Sequence, residues 1–222
     1  MTDGNEERYS RQRDIVPPER IAACKATVVG VGAIGRQVAL QLTAMGIPWL
    51  QLIDYDVVEK SNLASQGYLE EDLGKSKIEA TVELCKRINS SLEFHAVSER
   101  FRRSMETGDI IFSCVDSIDV RRIIWDSVKD KVRFFSDGRM SAEVLRVLTA
   151  CDFESRKHYP NTLFTAGEAF VGPCTAKTTI YCSNIAAGLM VAQFVKYLRQ
   201  LPIDADIQLN LLASELTVGD GR

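Results

Sequence analysis

Gly30-Val31-Gly32-Ala33-Ile34-Gly35 limits what this chain can fold into more than any other feature. The segment reads G-x-G-x-x-G; it closes a short β-branched run at 26–31 and opens a helical stretch over about 34–45 that Gly46 and Pro48 end. In that context the first glycines allow a tight turn, and the helix N-terminus presents unpaired N–H groups and a positive dipole end to an anion. A second apolar run, 49–54, ends in Asp54, about 20 residues after the turn, where a carboxylate can accept hydrogen bonds from a ribose. Strand, glycine turn, helix, strand and acid together predict a nucleotide site. The turn by itself suits NAD as well as ATP, and it also suits a helix that merely packs closely on a strand.

The rest of the chain continues the alternation. Helical spacing of Ile78, Val82, Cys85 and Ile88 predicts a helix within 73–89, and runs at 92–97 and 109–115 read as strands. A helix over 118–129 follows, then strands at 132–137 and 143–151 and a long helix over 178–201, whose small residues Ala186, Ala187 and Gly188 and broad apolar face suit a dimer contact. Residues 206–218 read as one closing strand. Such an order predicts an α/β fold, Rossmann-like, with a mostly parallel sheet covered by helices on both faces and a mixed or antiparallel C-terminal extension. Residues 1–19 read as an N-terminal arm stopping at Pro17-Pro18, and 20–222 as a single domain carrying the nucleotide site.

Composition excludes several classes. A net charge of −3 argues against a nucleic-acid-coating protein. No apolar run reaches the roughly 18–20 residues that a bilayer requires, and the polar start does not read as a secretory signal. The six cysteines contain no Cys-x-x-Cys, so no zinc site is expected, and the cytoplasm is the expected compartment. A run ending Gly74-Lys75-Ser76 fails as a P-loop because its glycines are too far apart, and neither H-E-x-x-H nor G-x-S-x-G is present.

After Asp54 comes a dense polar stretch, Asp54-Tyr55-Asp56-Val57-Val58-Glu59-Lys60-Ser61-Asn62-Leu63-Ala64-Ser65-Gln66, then Gly74-Lys75-Ser76-Lys77. Farther on stand Val115-Asp116 and, five residues after the Asp, Arg121; the start carries Arg8-Tyr9-Ser10-Arg11-Gln12. With the glycine turn, this ordered set resembles the ThiF, MoeB and ubiquitin-activating-enzyme-like adenylyltransferases over about residues 8–200, as a minimal bacterial-type member.

The resemblance implies ATP and Mg²⁺, with Gly30, Gly32, Ala33, Gly35, Asp54, Asp56, Asn62, Ser65, Gln66, Lys77, Val115 and Asp116 around the nucleotide. It implies catalytic roles for Lys77 on the phosphates and Asp116 on the metal. Arg11 would serve the ATP of a neighbouring subunit in a homodimer, and Cys174 would be a thiol for the activated partner. The implied partner is a small ubiquitin-like or sulfur-carrier protein ending in Gly-Gly, with no role for nucleic acid or membrane. The implied reaction is formation of an acyl-adenylate on its C-terminal carboxylate with release of pyrophosphate.

One departure matters. Ser65 stands where the family's N-L-x-R-Q block has an arginine, so either another cation (Arg8, Arg13, Lys60 or Lys75) replaces it, or turnover is weak or absent. A nucleotide-binding scaffold therefore stands as the alternative reading, and an NAD-dependent oxidoreductase, suggested by the glycine turn alone, as a third.

Overall fold

In the computed structural model, residues 7–164 and 178–219 are described. The strands are β1 (Lys25–Val29), β2 (Trp49–Ile53), β3 (Glu93–Val97), β4 (Ile110–Ser113), β5 (Phe134–Ser141), β6 (Val144–Ala150), β7 (Asp206–Asn210) and β8 (Glu215–Gly219). The named helices are α1 (Pro18–Ile21), α2 (Ala33–Met45), α3 (Lys60–Gln66), α4 (Lys77–Ile88), α5 (Ile118–Val128), α6 (Phe153–His158) and α7 (Ile180–Leu198).

All eight strands join one sheet in the order β3-β2-β1-β4-β5-β6-β7-β8. The first five pair in parallel. The last three pairings are antiparallel. Chain order runs outward from β1 in both directions, so the topological switch point lies between β1 and β4, where α/β sheets bind their ligands.

Alternation along each strand divides the core into two layers. Val28, Phe112 and Phe134 face α2, α4 and α7 with Met190 and Phe194, while Val29, Ile111 and Phe135 face α5 with Ile124, Trp125 and Tyr159. Within this core Thr27 donates to Gln51 at 2.8 Å and accepts from the Gly108 N–H at 2.8 Å. Gly46, at φ +89°, ends α2 with its N–H on the Leu42 and Thr43 carbonyls. Only a residue that tolerates the left-handed region ends a helix this way without strain.

One expectation is corrected and two stretches gain detail. The closing strand is a hairpin: Asn210 accepts from the Ala213 N–H at 3.2 Å and Ser214 takes φ +56°, turning the chain within an apolar run. The polar stretch after Asp54 contains helix α3, started by a capping box in which Glu59 and Asn62 exchange side-chain and backbone hydrogen bonds. The helix within 73–89 starts at Lys77, because residues 74–77 first pair with 56–58.

The arm docks at the end of the sheet away from the switch point. Gln12 donates to the Met45 carbonyl, Arg8 to that of Ile88, and Asn89 to the Tyr9 hydroxyl. These are the C-terminal ends of α2 and α4. Of the small residues of α7 that suit a dimer contact, Ala186 and Ala187 are fully buried within the subunit and Gly188 is partly exposed. Among the described residues no helix is long and apolar enough to cross a membrane.

Candidate active site at the β1–β4 switch point

The glycine turn leaves the end of β1 and is built against β4. Gly30 has φ +86°, and a Cβ there would lie 2.8 Å from the Cys114 carbonyl oxygen. A Cβ on Gly35 would fall 1.8 Å from the Gly30 carbonyl, so the third glycine lets the helix start on top of the turn. Gly32, the N-cap of α2, carries no capping side chain, and Ala33 is the first helical residue. Around Gly32 only the Gln66 side chain, among the described residues, comes within 4 Å of an added Cβ. The turn thus presents an uncapped helix N-terminus, an arrangement that suits a phosphate.

Asp54 is buried at the end of β2 and holds this turn. One carboxylate oxygen accepts from the Val31 N–H at 2.6 Å and the other from the Asp56 N–H at 2.8 Å. Its position beside the turn is the one expected for ribose recognition, but in the ligand-free protein the group organises backbone. Tyr68 holds the other side, its buried hydroxyl donating to the Val31 carbonyl at 2.6 Å.

Lys77 reaches the same mouth through local pairing. The Lys77 N–H donates to the Asp56 carbonyl at 3.0 Å, and Val58 pairs with Lys75 and Gly74. That short ladder places the Lys77 ammonium 2.9 Å from the Asp56 carboxylate. The lysine side chain is 9% exposed and the aspartate 47%, so the cation sits at the wall of the site and its partner opens to solvent.

Asp116 follows β4 across the switch point, after Val115, and is exposed. Among the described residues its carboxylate has no hydrogen-bond or ion-pair partner. Its backbone is fixed: Arg121, one turn into α5, donates to the Asp116 carbonyl at 3.2 Å. This contact explains the five-residue spacing seen in the sequence. Arg121 also donates to the buried Asp137 at 2.7 Å and to the Gly138 carbonyl at 3.1 Å. Asp137 further accepts from Arg139 at 2.8 Å and from Tyr159 at 2.9 Å.

Sequence reasoning misses that network. A signal for it exists, since Asp137 shares the parity of Phe135 in an apolar strand, where a charge requires partners.

Other expected residues have local duties. The Asn62 carbonyl oxygen accepts from the Glu59 N–H at 2.9 Å, and the Ser65 hydroxyl donates to the Ser61 carbonyl at 3.1 Å. The Gln66 side-chain oxygen is buried without a partner among the described residues. Of the cations considered as replacements for an arginine at 65, Arg8 and Arg13 lie at the far end with the arm. Lys75 is engaged by Glu83 at 2.8 Å and Asp72 at 3.4 Å. Lys60 begins α3 and is exposed. Arg11 is exposed on the arm, so it lies at the opposite end of its own subunit from the glycine turn. Cys174 lies outside the described residues.

Burial holds the described cysteines in the thiol form. It pushes Cys24, Cys85 and Cys151 up to about 11, and it raises Cys114, beside Asp137, and Cys182 as well. These five are expected to remain unmodified when the native protein is treated with iodoacetamide at about neutral pH, because the thiolate is the nucleophile. Peptide mass mapping checks this, and rapid labelling of Cys114 would show that the switch point opens.

A metal fits this donor set in one respect. Mg²⁺ keeps most of its shell as water and substrate phosphate and needs only one or two carboxylates, and Asp116 offers one that is exposed and unengaged among the described residues.

The model of the ThiF family matches residues 9–215. The chain is 35% identical over 133 residues to the adenylyltransferase and sulfurtransferase MOCS3 of Mus musculus, covering 54% of this chain and 28% of that protein. It is 32% identical over 123 residues to the ubiquitin-like modifier-activating enzyme 5 of Dictyostelium discoideum, covering 48% of this chain and 32% of that protein. The matched stretches therefore span less than a third of these relatives' own length.

Among solved structures, selenomethionine PaaA superposes with a TM-score of 0.79 at 24% identity, covering all of this chain and 84% of PaaA. E. coli MccB crystallised with ATP gives 0.76 at 19% identity, covering 98% of this chain and 72% of MccB. At these identities the likenesses establish the fold.

Proposed function

This chain belongs to the ThiF family, and from that premise we propose that it is an ATP-dependent adenylyltransferase acting on the C-terminal carboxylate of a small protein or peptide. The observation that carries the reading is the grouping at the switch point. An uncapped helix N-terminus, the Lys77–Asp56 pair and the Asp116 carboxylate, unengaged among the described residues, stand after the C-terminal ends of the adjacent strands β1, β2 and β4.

The chemistry accounts for these residue types. A carboxylate oxygen must attack the α-phosphorus of ATP, so two anions approach and pyrophosphate leaves. The N–H groups at the start of α2 bind phosphate oxygens, and Lys77 neutralises charge that grows on them, in a site already organised before the substrate arrives. For Lys77 to do so it exchanges its bond with Asp56 for one with phosphate, and Asp56, being half exposed, is then solvated. Asp54 holds the turn and offers its remaining lone pairs to the ribose. Asp116 would hold Mg²⁺, which when bound offsets the charge of the phosphates. Arg11 would complete the site of a second subunit in a homodimer, a role consistent with its distance from its own. Gly-Gly at the end of the partner would suit a narrow approach to the phosphate, and the ubiquitin-like or sulfur-carrier class is the partner proposed. Cys174 would take the activated acyl group where a thioester follows.

A second reading has its own support. Ser65 and Asn62 are spent on the helix that carries them, which suits a protein that binds nucleotide without turning it over.

Calorimetric titration tests the nucleotide. ATP with Mg²⁺ is expected to bind more tightly than NAD, because Lys77 and Asp116 serve phosphates and a metal that a dinucleotide site does not require. Tighter binding of NAD would overturn the proposal.

A further inference from the structure

Arg36 is fully buried, four residues beyond Gly32 in the first turns of α2. It is an expensive residue to place there. One terminal nitrogen donates to the Gly67 carbonyl at 2.8 Å, and the guanidinium lies 4.1 Å from the centre of the Tyr68 ring. Its Nε and other terminal nitrogen are without partners among the described residues, and no carboxylate there lies within ion-pair distance. Burial accordingly lowers its pKa from the usual arginine value. A buried charge without a counter-ion destabilises a folded protein unless something else compensates it.

Place suggests the compensation. Helical side chains lean toward the N-terminus of their helix, so the Arg36 head group is carried back toward the glycine turn. It meets the chain at Gly67, the C-cap of α3, one residue past Gln66 and two past Ser65. The Gln66 side-chain oxygen, also buried and unpartnered, faces Gly32 at 3.8 Å from where a Cβ would stand. Two unsatisfied buried groups therefore flank the turn from the side of the short helix whose expected arginine is absent.

We propose that Arg36 supplies, from α2, the positive charge that the nucleotide phosphates would otherwise receive from an arginine at position 65. Its field reaches the phosphates through protein; among the described residues its carboxylate neighbour, the buried Asp72, acts from beyond ion-pair distance, which leaves the charge of Arg36 available to a bound triphosphate. Arg36 is thus a positioning and electrostatic residue, not one that touches the reacting atoms. The inference rests on the nucleotide reading of the site given above.

The test pairs thermal unfolding without ligand with calorimetric titration of Mg²⁺–ATP and of adenosine. Arg36→Met exchanges the cation for an apolar chain of similar length, so the ligand-free melting temperature is expected to rise. Affinity for ATP is expected to fall about tenfold or more, the size of one unit charge acting across several ångströms of protein, with adenosine unchanged. Ser65→Arg added to Arg36→Met should restore most of that loss, while Ser65→Arg alone should add little.

A merely structural arginine gives the opposite pattern, a lower melting temperature with ATP affinity unchanged, and that overturns the proposal. So does an equal loss for ATP and adenosine. Should Arg36→Met fail to fold, Arg36→Gln keeps a donor for Gly67 without the charge, and the same selective loss of ATP is required of it. Wild-type protein that binds no ATP would sink the nucleotide reading itself. Wild-type binding matched by both charge-free variants would sink the role of Arg36 alone.

Discussion

Asp116→Ala is expected to lower ATP–pyrophosphate exchange at least about a hundredfold, a loss of the size seen when one preorganised electrostatic group is removed from an active site. Folding should hardly change. The carboxylate is exposed and has no partner among the described residues, so alanine removes no contact there and the melting temperature should stay within about 2 °C. Lys77→Ala is expected to cause a loss of similar size. The bond it breaks, to a half-exposed Asp56, contributes no more than about 1 kcal/mol after solvent screening. On the proposed roles both groups would act mainly on charge that develops during transfer, so turnover should fall more than ATP affinity.

The assay is exchange with a cognate carboxylate partner. Wild-type exchange that survives Asp116→Ala undiminished would place the catalytic centre elsewhere. Absent wild-type exchange, restored by Ser65→Arg, would favour the scaffold reading. With Arg36 already supplying charge, little change on Ser65→Arg is the result expected.

The parallel half of the fold was legible because its signals are local. A β-branched run, a glycine turn and a helix closed by Gly46 follow one another within about 20 residues, so short-range physics determines them. What escaped depended on contacts between distant segments. Helix α3 is only seven residues long and polar, too short for a hydrophobic period to show. The β7–β8 turn uses Asn210 and Ser214 in an apolar run where glycine or proline would have announced it.

Site residues divide in the same way. Gly30, Asp54, Lys77 and Asp116 stand out as types that phosphate and metal chemistry requires; in the fold Asp54 holds the glycine turn through Val31, Lys77 pairs with Asp56, and Gly30 packs on Cys114 and Val115, just before Asp116. Arg36 is invisible in sequence, since an arginine after a glycine turn reads as a solvated helix position. Only the packing of Tyr68 and Gly67 over it reveals that it is buried.

Asp137→Ala is expected to lower the unfolding free energy by about 3–5 kcal/mol, the cost of removing one partner from a buried ion pair. Asp137 is fully buried and accepts from Arg121, Arg139 and Tyr159. Alanine leaves two guanidinium groups, 8% and 12% exposed, without their carboxylate. In a chain of this size that corresponds to a fall of roughly 6–20 °C in melting temperature. Glu83→Ala is the control: its pair with Lys75 is screened by solvent and its loss should leave the melting temperature nearly unchanged.

The pair also bears on function. Arg121 is held between Asp137 and the Asp116 carbonyl, so a loosened Arg121 releases the loop that presents Asp116. Exchange should therefore fall even at temperatures where Asp137→Ala is fully folded. Urea unfolding gives the first quantity and exchange on the folded variant the second. A change in stability below about 1 kcal/mol would show that the arginines find other partners, and unchanged exchange would show that Asp116 is positioned by its own strand rather than through Arg121.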